Sequence, residues 1–281
     1  GALMSEREPN TDPANPALPP RRSGLQWRTI LALAIVWMVL WGDLSIFAAL
    51  MGLQRRGATS VGGACRLLRA ADGLLAMLAG HLGPFAAYAL LKPLPLLLCL
   101  ALVWRRADRH GQPVATRWLL AGLALSLLGD VCLLSGQGFL AGLAAFLLAH
   151  GCYIVLFHRG LPWLPHRPAL LAVLACAALV YGYLATHGLP ADMRLPVAAY
   201  VLVIAGMAAQ AIGRAQVLRS AGARCVAWGA LSFMVSDSIL AIDRFVQPLP
   251  AATVWVLGSY YLAQGLIVHG MLQVLRVPQT K

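Results

Sequence analysis

Residues 138–158 read GFLAGLAAFLLAHGCYIVLFH, an apolar run without a single Asp, Glu, Lys or Arg. Wound as an α-helix at 1.5 Å per residue, a run of this length matches the ~30 Å hydrocarbon core of a bilayer. Its apolar residues form no stripe of the kind a soluble surface helix shows. Comparable runs lie on both sides of it, at 29–51, 85–104, 117–135, 168–187, 195–213, 224–243 and 252–274. Together they predict an all-α fold, a polytopic membrane helix bundle of about eight transmembrane helices. Composition points the same way. Of the 281 residues 60% are hydrophobic and 11% charged, too few charges to cover the surface of a water-soluble domain.

The remaining segments set the organisation. Residues 1–24 carry five prolines among polar residues and no apolar periodicity, and read as a disordered tail. Residues 25–281 read as a single transmembrane helical domain. Within it, 53–84 forms a long connection holding Arg55, Arg56, Arg66 and Arg69. Its 74–82 stretch is too short for a span and is expected to be an interfacial or re-entrant helix.

The formal net charge of +12 would suggest nucleic acid in a soluble protein. Here the arginines sit between the apolar runs, where they anchor helix ends to the membrane surface. No nucleic-acid partner is expected; the bilayer itself is. One side of the predicted bundle takes the N-terminal tail, the loops near 105–116, 159–167 and 214–223, and the C-terminus. That side collects 15 of the 22 Lys and Arg, so the positive-inside rule makes it cytoplasmic, with both termini inside. The arginines of 53–69 are the exception. High Arg usage without a targeting segment fits a bacterial inner membrane. The six cysteines (65, 99, 132, 152, 176 and 225) are scattered singly with no CxxC pair, so neither a zinc knuckle nor a disulfide framework is indicated.

The acids are the informative residues. Glu6, Glu8 and Asp12 lie in the tail, and Asp72, Asp108 and Asp192 in connections. Asp43, Asp130 and Asp237 lie inside predicted spans, with Asp243 at a span end. An ionisable group at membrane depth costs roughly 2.5–3.5 kcal/mol on insertion scales, so it normally faces the bundle interior and marks function. Depth adds a second argument. Lys92, Asp130, His150, Asp237, Tyr260, Tyr261 and Gln264 all fall in the outer half of the predicted bundle or near its middle. His150 and Tyr153 share one helix face at i, i+3, and Tyr260 and Gln264 share another at i, i+4. These residues predict one polar cavity opening outward. No HExxH, GxSxG or phosphate-cradling loop is present. Asp130, His150 and Asp237 carry no metal-ligand spacing signature, so neither metal nor other cofactor is expected. Gly129, Gly136, Gly138 and Gly142 suit a tight turn and close helix packing.

At these residues the chain resembles the lysoplasmalogenase (YhhN-like) membrane proteins. The resemblance is carried by Lys92-Pro93-Leu94, Gly129-Asp130, Phe146 through His150 to Tyr153, Ser236-Asp237-Ser238-Ile239-Leu240-Ala241 with Phe245, and Ser259-Tyr260-Tyr261-Leu262-Ala263-Gln264. These pieces occur in the family's order over about residues 88–270. The long tail, the 53–84 connection and the acidic Asp243-Arg244 pair depart from the family's compact pattern.

The resemblance implies a membrane hydrolase that cleaves the vinyl ether bond of lysoplasmalogen, a single-chain ether lysophospholipid. The products are a fatty aldehyde and glycerophosphoethanolamine or glycerophosphocholine. Such chemistry needs an acid held protonated near neutral pH and a carboxylate to steady an oxocarbenium-like cation and orient water. Two neighbouring aspartates can divide those roles. The expected catalytic residues are Asp130 and Asp237 as the acid/base pair, with His150 and Tyr153 orienting water or assisting proton transfer. Lys92 would hold the lipid phosphate, and Tyr260, Tyr261 and Gln264 would line the substrate pocket. Two alternatives compete: a proton- or ion-coupled transporter, since intramembrane acids also couple protons, and a metal-dependent intramembrane lipid hydrolase. Against the first, no inverted repeat or pair of broken helices is visible.

Overall fold

A computed structural model of the chain describes residues 89, 92–106, 112–135 and 137–275. The expected first span, the tail and the 53–84 connection with its interfacial helix lie outside these residues. Seven α-helices follow in order: α1 Leu94–Arg106, α2 Pro113–Cys132, α3 Phe139–His158, α4 Arg167–His187, α5 Arg194–Leu218, α6 Ala221–Phe245 and α7 Ala252–Val274. A short 3-10 turn, Ala191–Met193, leads into α5. No strand occurs among the described residues.

Helix ends follow local chemistry. Pro113 opens α2, and a proline also falls in the first turn of α4, where a missing N–H costs nothing. The Ser220 side chain accepts the Ala223 N–H at 3.1 Å and starts α6. His166 Nδ1 accepts the Ala169 N–H at 3.1 Å and does the same for α4. Pro93 disfavours helical geometry at the residue before it, and Lys92 accordingly lies in a turn ahead of α1. Within the run expected over 85–104, Ala89 is helical and α1 begins at Leu94, after the turn at Lys92 and Pro93. At the end of α4, Gly188 has φ +148°, and a Cβ there would stand 2.1 Å from the Phe245 carbonyl oxygen. Only glycine lets this turn pass so close to α6.

Helices α2 to α6 are long and apolar enough to cross a membrane; for α5 the stretch runs from Ala191. The chain is an integral membrane protein. α1, at 13 residues, is short. α7 has the length, 23 residues, and carries Ser259, Tyr260, Tyr261, Gln264 and His269 along it.

Close approach between helices is set by glycines, as membrane bundles require where no hydrophobic effect drives association. A Cβ on Gly122 would meet the Tyr153 ring at 2.4 Å, and one on Gly129 would meet the Phe146 ring at 2.6 Å. Two α3 aromatics thus seat in α2, spaced seven residues apart on each helix. Gly222, Gly229 and Gly270 bring α6 and α7 backbone to backbone in the same way.

The two ends of the bundle differ in charge. Where α1, α3, α5 and α7 end and α2, α4 and α6 begin lie Arg105, Arg106, Arg117, Arg159, Arg167, Arg214, Arg219 and Arg224. Buried Arg214 donates to the carbonyls of Phe157 and Arg159 at 2.9 and 3.2 Å, covering the open C-terminus of α3. Gln210 accepts from Leu164 N–H at 2.7 Å and donates to the Pro162 carbonyl at 3.2 Å, fixing the α3–α4 loop. The opposite end has only Lys92, Arg194 and Arg244 as cations among the described residues.

Candidate active site

Of the polar residues singled out in the sequence, Lys92, Asp130, Asp237, Tyr260 and Tyr261 gather toward the end with few arginines. Asp130 lies in the last turn of α2 and is buried. The Tyr260 hydroxyl of α7 donates to its Oδ2 at 2.8 Å. The Lys92 ammonium lies 3.4 Å from its Oδ1 and also donates to the Asp130 backbone carbonyl at 3.3 Å. The Tyr261 hydroxyl donates to the Lys92 carbonyl at 2.9 Å. Neighbouring residues on a helix point about 100° apart, so this tyrosine pair reaches two partners at once. α7 thereby fixes both members of the Lys92–Asp130 ion pair.

Asp237 sits on the last third of α6, where Tyr200 of α5 donates its hydroxyl hydrogen to Oδ2. Beside it, the Ser236 hydroxyl donates to the Val256 carbonyl at 2.9 Å and ties α6 to α7. One turn further along α7 from Tyr260, Gln264 Oε1 accepts from the Tyr153 hydroxyl at 2.8 Å. His150 is fully buried, its ring packed edge-on against Tyr200 and Phe233 with centroids 5.3 and 4.6 Å apart.

Two cavities meet at this place. A polar one of about 200 Å³ is lined by Lys92, Asp130, Asp237, Asp243, Arg244 and Tyr260, among others. An apolar one of about 430 Å³ runs between α3, α4, α5 and α6. Leu133, Phe139, Phe146, Asp237 and Leu240 line both, so Asp237 is the one ionisable group at their junction. Asp243 accepts the Leu249 N–H at 2.8 Å, and the Arg244 guanidinium stands 5.2 Å over the Phe139 ring.

Of the expected catalytic and substrate residues, Lys92, Asp130, Asp237 and Tyr260 share the polar cavity. Tyr261 holds Lys92 from behind, and the Tyr153–Gln264 pair and His150 lie deeper, lining neither cavity. Among the described residues no three His, Cys, Asp or Glu side chains group as a metal would need.

Sequence reasoning misses Tyr200, Gln210 and Arg214. Gln210 and Arg214 carry a usable signal, because a buried amide and guanidinium near a span end need backbone partners. Tyr200 carries none, since one tyrosine in an apolar run is indistinguishable from an interfacial aromatic.

Residues 87–271 match the YhhN family. The chain is 38% identical over 193 residues to human lysoplasmalogenase TMEM86B, covering 69% of this chain and 77% of that protein. Against the pig protein of the same name it is 41% identical over 179 residues, 64% of this chain and 73% of that one. The lysoplasmalogenase of Mycobacterium tuberculosis is 31% identical over 198 residues, 68% and 74% of the two chains. No solved structure matches the chain.

Proposed function

The chain belongs to the YhhN family, and on that premise we propose that it is a lysoplasmalogenase, a membrane hydrolase cleaving the vinyl ether bond of a single-chain ether phospholipid. The name shared by its vertebrate and mycobacterial relatives favours this over transport or a metal-dependent hydrolase. One observation within the chain carries the reading: Asp237 lines an apolar and a polar cavity at once. A lyso-lipid has its vinyl ether at the same kind of boundary, between hydrocarbon chain and polar glycerophosphate.

The reaction consumes one water. An acid proton is transferred to the alkene carbon remote from the ether oxygen; the π pair forms the new C–H bond. The oxygen lone pair delocalises onto the other alkene carbon, giving an oxocarbenium ion. Water adds to that carbon and loses a proton to a carboxylate. The hemiacetal then breaks its bond to the glycerol oxygen, which takes up a proton as the hydroxyl proton leaves. A fatty aldehyde and a glycerophospho-alcohol result.

Asp130 and Asp237 act as the acid/base pair, because both face the polar cavity and each accepts a tyrosine hydroxyl. Tyr200 and Tyr260 orient the two carboxyls. Lys92 holds Asp130 and, with the exposed Arg244 at the cavity rim, presents positive charge to the lipid phosphate. Tyr261 fixes Lys92, and Tyr153 with Gln264 supports the α3–α7 side of the pocket. His150 packs behind Tyr200 and keeps its ring in place.

The full bundle has about eight spans in one helical domain, 25–281, behind the 1–24 tail. Its arginine-rich end faces the cytoplasm of a bacterial inner membrane, so the polar cavity opens on the outer side. Alkaline phosphatase fused after 189 and after 219 should be active and inactive, respectively.

The test of function is aldehyde release from lysoplasmenylethanolamine by purified protein in detergent, with and without EDTA. Release that survives EDTA and is lost in Asp237→Asn supports the reading. No release from folded, monodisperse protein with either ethanolamine or choline headgroups rejects it.

A further inference from the structure

The apolar cavity is larger than the polar one, and its lining has a direction. Its wall away from Asp237 is formed by Cys176 on α4, Ile204 on α5 and Leu231 on α6, each near the middle of its helix. Two of its lining residues are also exposed: Val235, at 52%, and Cys176. A residue that lines a cavity and is open to the outside marks a mouth. α4 packs chiefly on α5 and touches α6 only sparsely, so the mouth lies between α4 and α6. The surface around it is apolar among the described residues: Leu171, Leu179 and Trp228 are each more than half exposed, as suits a face turned to hydrocarbon. The other end of the cavity meets the polar cavity at Asp237.

We propose that this cavity is a laterally open hydrocarbon site, through which the chain of the lyso-lipid reaches Asp237 from the bilayer between α4 and α6. The proposal rests on the lysoplasmalogenase reading for the identity of the lipid. It adds where the chain lies and how it arrives. From Asp237 to Leu231 is six residues, roughly 9 Å of helix rise. An extended chain advances about 1.25 Å per carbon with ~1.5 Å bonds, so about seven carbons fit inside. Carbons beyond these pass through the mouth into the membrane. Recognition then concerns the first part of the chain only, and turnover should be nearly flat in chain length beyond about ten carbons.

The test uses a saturated 1-O-alkyl lyso-lipid, which has no vinyl ether to cleave, carrying a diazirine about five carbons from the ether oxygen. It is photolysed with Asp237→Asn protein in nanodiscs, and adducts are mapped by mass spectrometry. Adducts concentrated on 173–184 of α4 and 231–242 of α6 are expected. Adducts elsewhere, or none above the unphotolysed control, overturn the site.

Cys176→Trp and Val235→Trp place a ring in the mouth from exposed positions, so folding is expected to persist. Each should lower kcat/KM for long-chain substrate at least tenfold while melting as the parent does. Unchanged kcat/KM in both would equally reject the route. Labelling needs no turnover, so the two claims separate. Labelled helices with no aldehyde from the parent protein keep the site and discard the reaction. Aldehyde release with adducts elsewhere does the reverse.

Discussion

The Lys92 ammonium and the Asp130 carboxylate stand 3.4 Å apart, and both side chains are buried. Removing one member of a buried pair strands the other without a partner, which costs about 3–5 kcal/mol. Lys92→Met is therefore expected to lower the melting temperature in detergent sharply. Adding Asp130→Asn should recover part of the loss, because the stranded charge is then gone. A double variant no more stable than Lys92→Met alone would show that the pair is not the cause.

Tyr200→Phe and Tyr260→Phe each remove one hydroxyl donor from a carboxyl group. Hydrogen bonds to charged groups contribute about 1.5–3 kcal/mol. If that stabilisation is expressed in the transition state, kcat falls about 10–100-fold. Tyr183→Phe, on an exposed residue stacked against His187, is the control and should leave kcat unchanged. Full activity in Tyr200→Phe would separate Tyr200 from the chemistry.

Proton transfer to carbon leaves an isotopic record in an aldehyde that is trapped before its α-hydrogens exchange. In D2O the aldehyde should carry a single deuterium on the carbon next to the carbonyl, read by mass spectrometry after trapping. Aldehyde without deuterium there would mean the bond is cleaved by another route, and the acid/base roles of Asp130 and Asp237 would fall with it.

The α2–α3 contact gives a prediction on stability alone. Gly122→Ala would press a methyl against the Tyr153 ring, and Gly129→Ala against Phe146. Overpacking of this kind costs about 1–3 kcal/mol. Gly151→Ala and Gly182→Ala meet nothing within 4 Å and should be neutral or slightly stabilising, since alanine is the better helix former. Melting curves of the four variants side by side decide the matter.

Much of the bundle is legible in the amino-acid sequence. The run 252–274 coincides with α7, and 138–158 with α3 and the glycine before it, because long apolar segments have one favourable state in a bilayer. The acids are conspicuous for the reverse reason: an aspartate has no cheap place in hydrocarbon, so Asp130 and Asp237 declare themselves. Which hydroxyl meets which carboxyl is not legible. Tyr260 and Asp130 are 130 residues apart, and their pairing depends on helix rotation set by Gly222, Gly229 and Gly270. The expectation that His150 faces the polar cavity rests on its depth, and depth does not determine which way a side chain turns. The break ahead of α1 is readable from Pro93 but is lost against the hydropathy of the run around it.

The position of Asp237 also bears on what happens after cleavage. The two fragments differ in solubility as much as two halves of one molecule can. The aldehyde would stay on the oily side, with the proposed α4–α6 mouth before it. The phosphorylated alcohol stays on the wet side, among Lys92, Asp243 and Arg244. On the proposed route each would leave down its own partition gradient, in opposite directions. On that route a boundary drawn through one carboxylate would sort the products as they form.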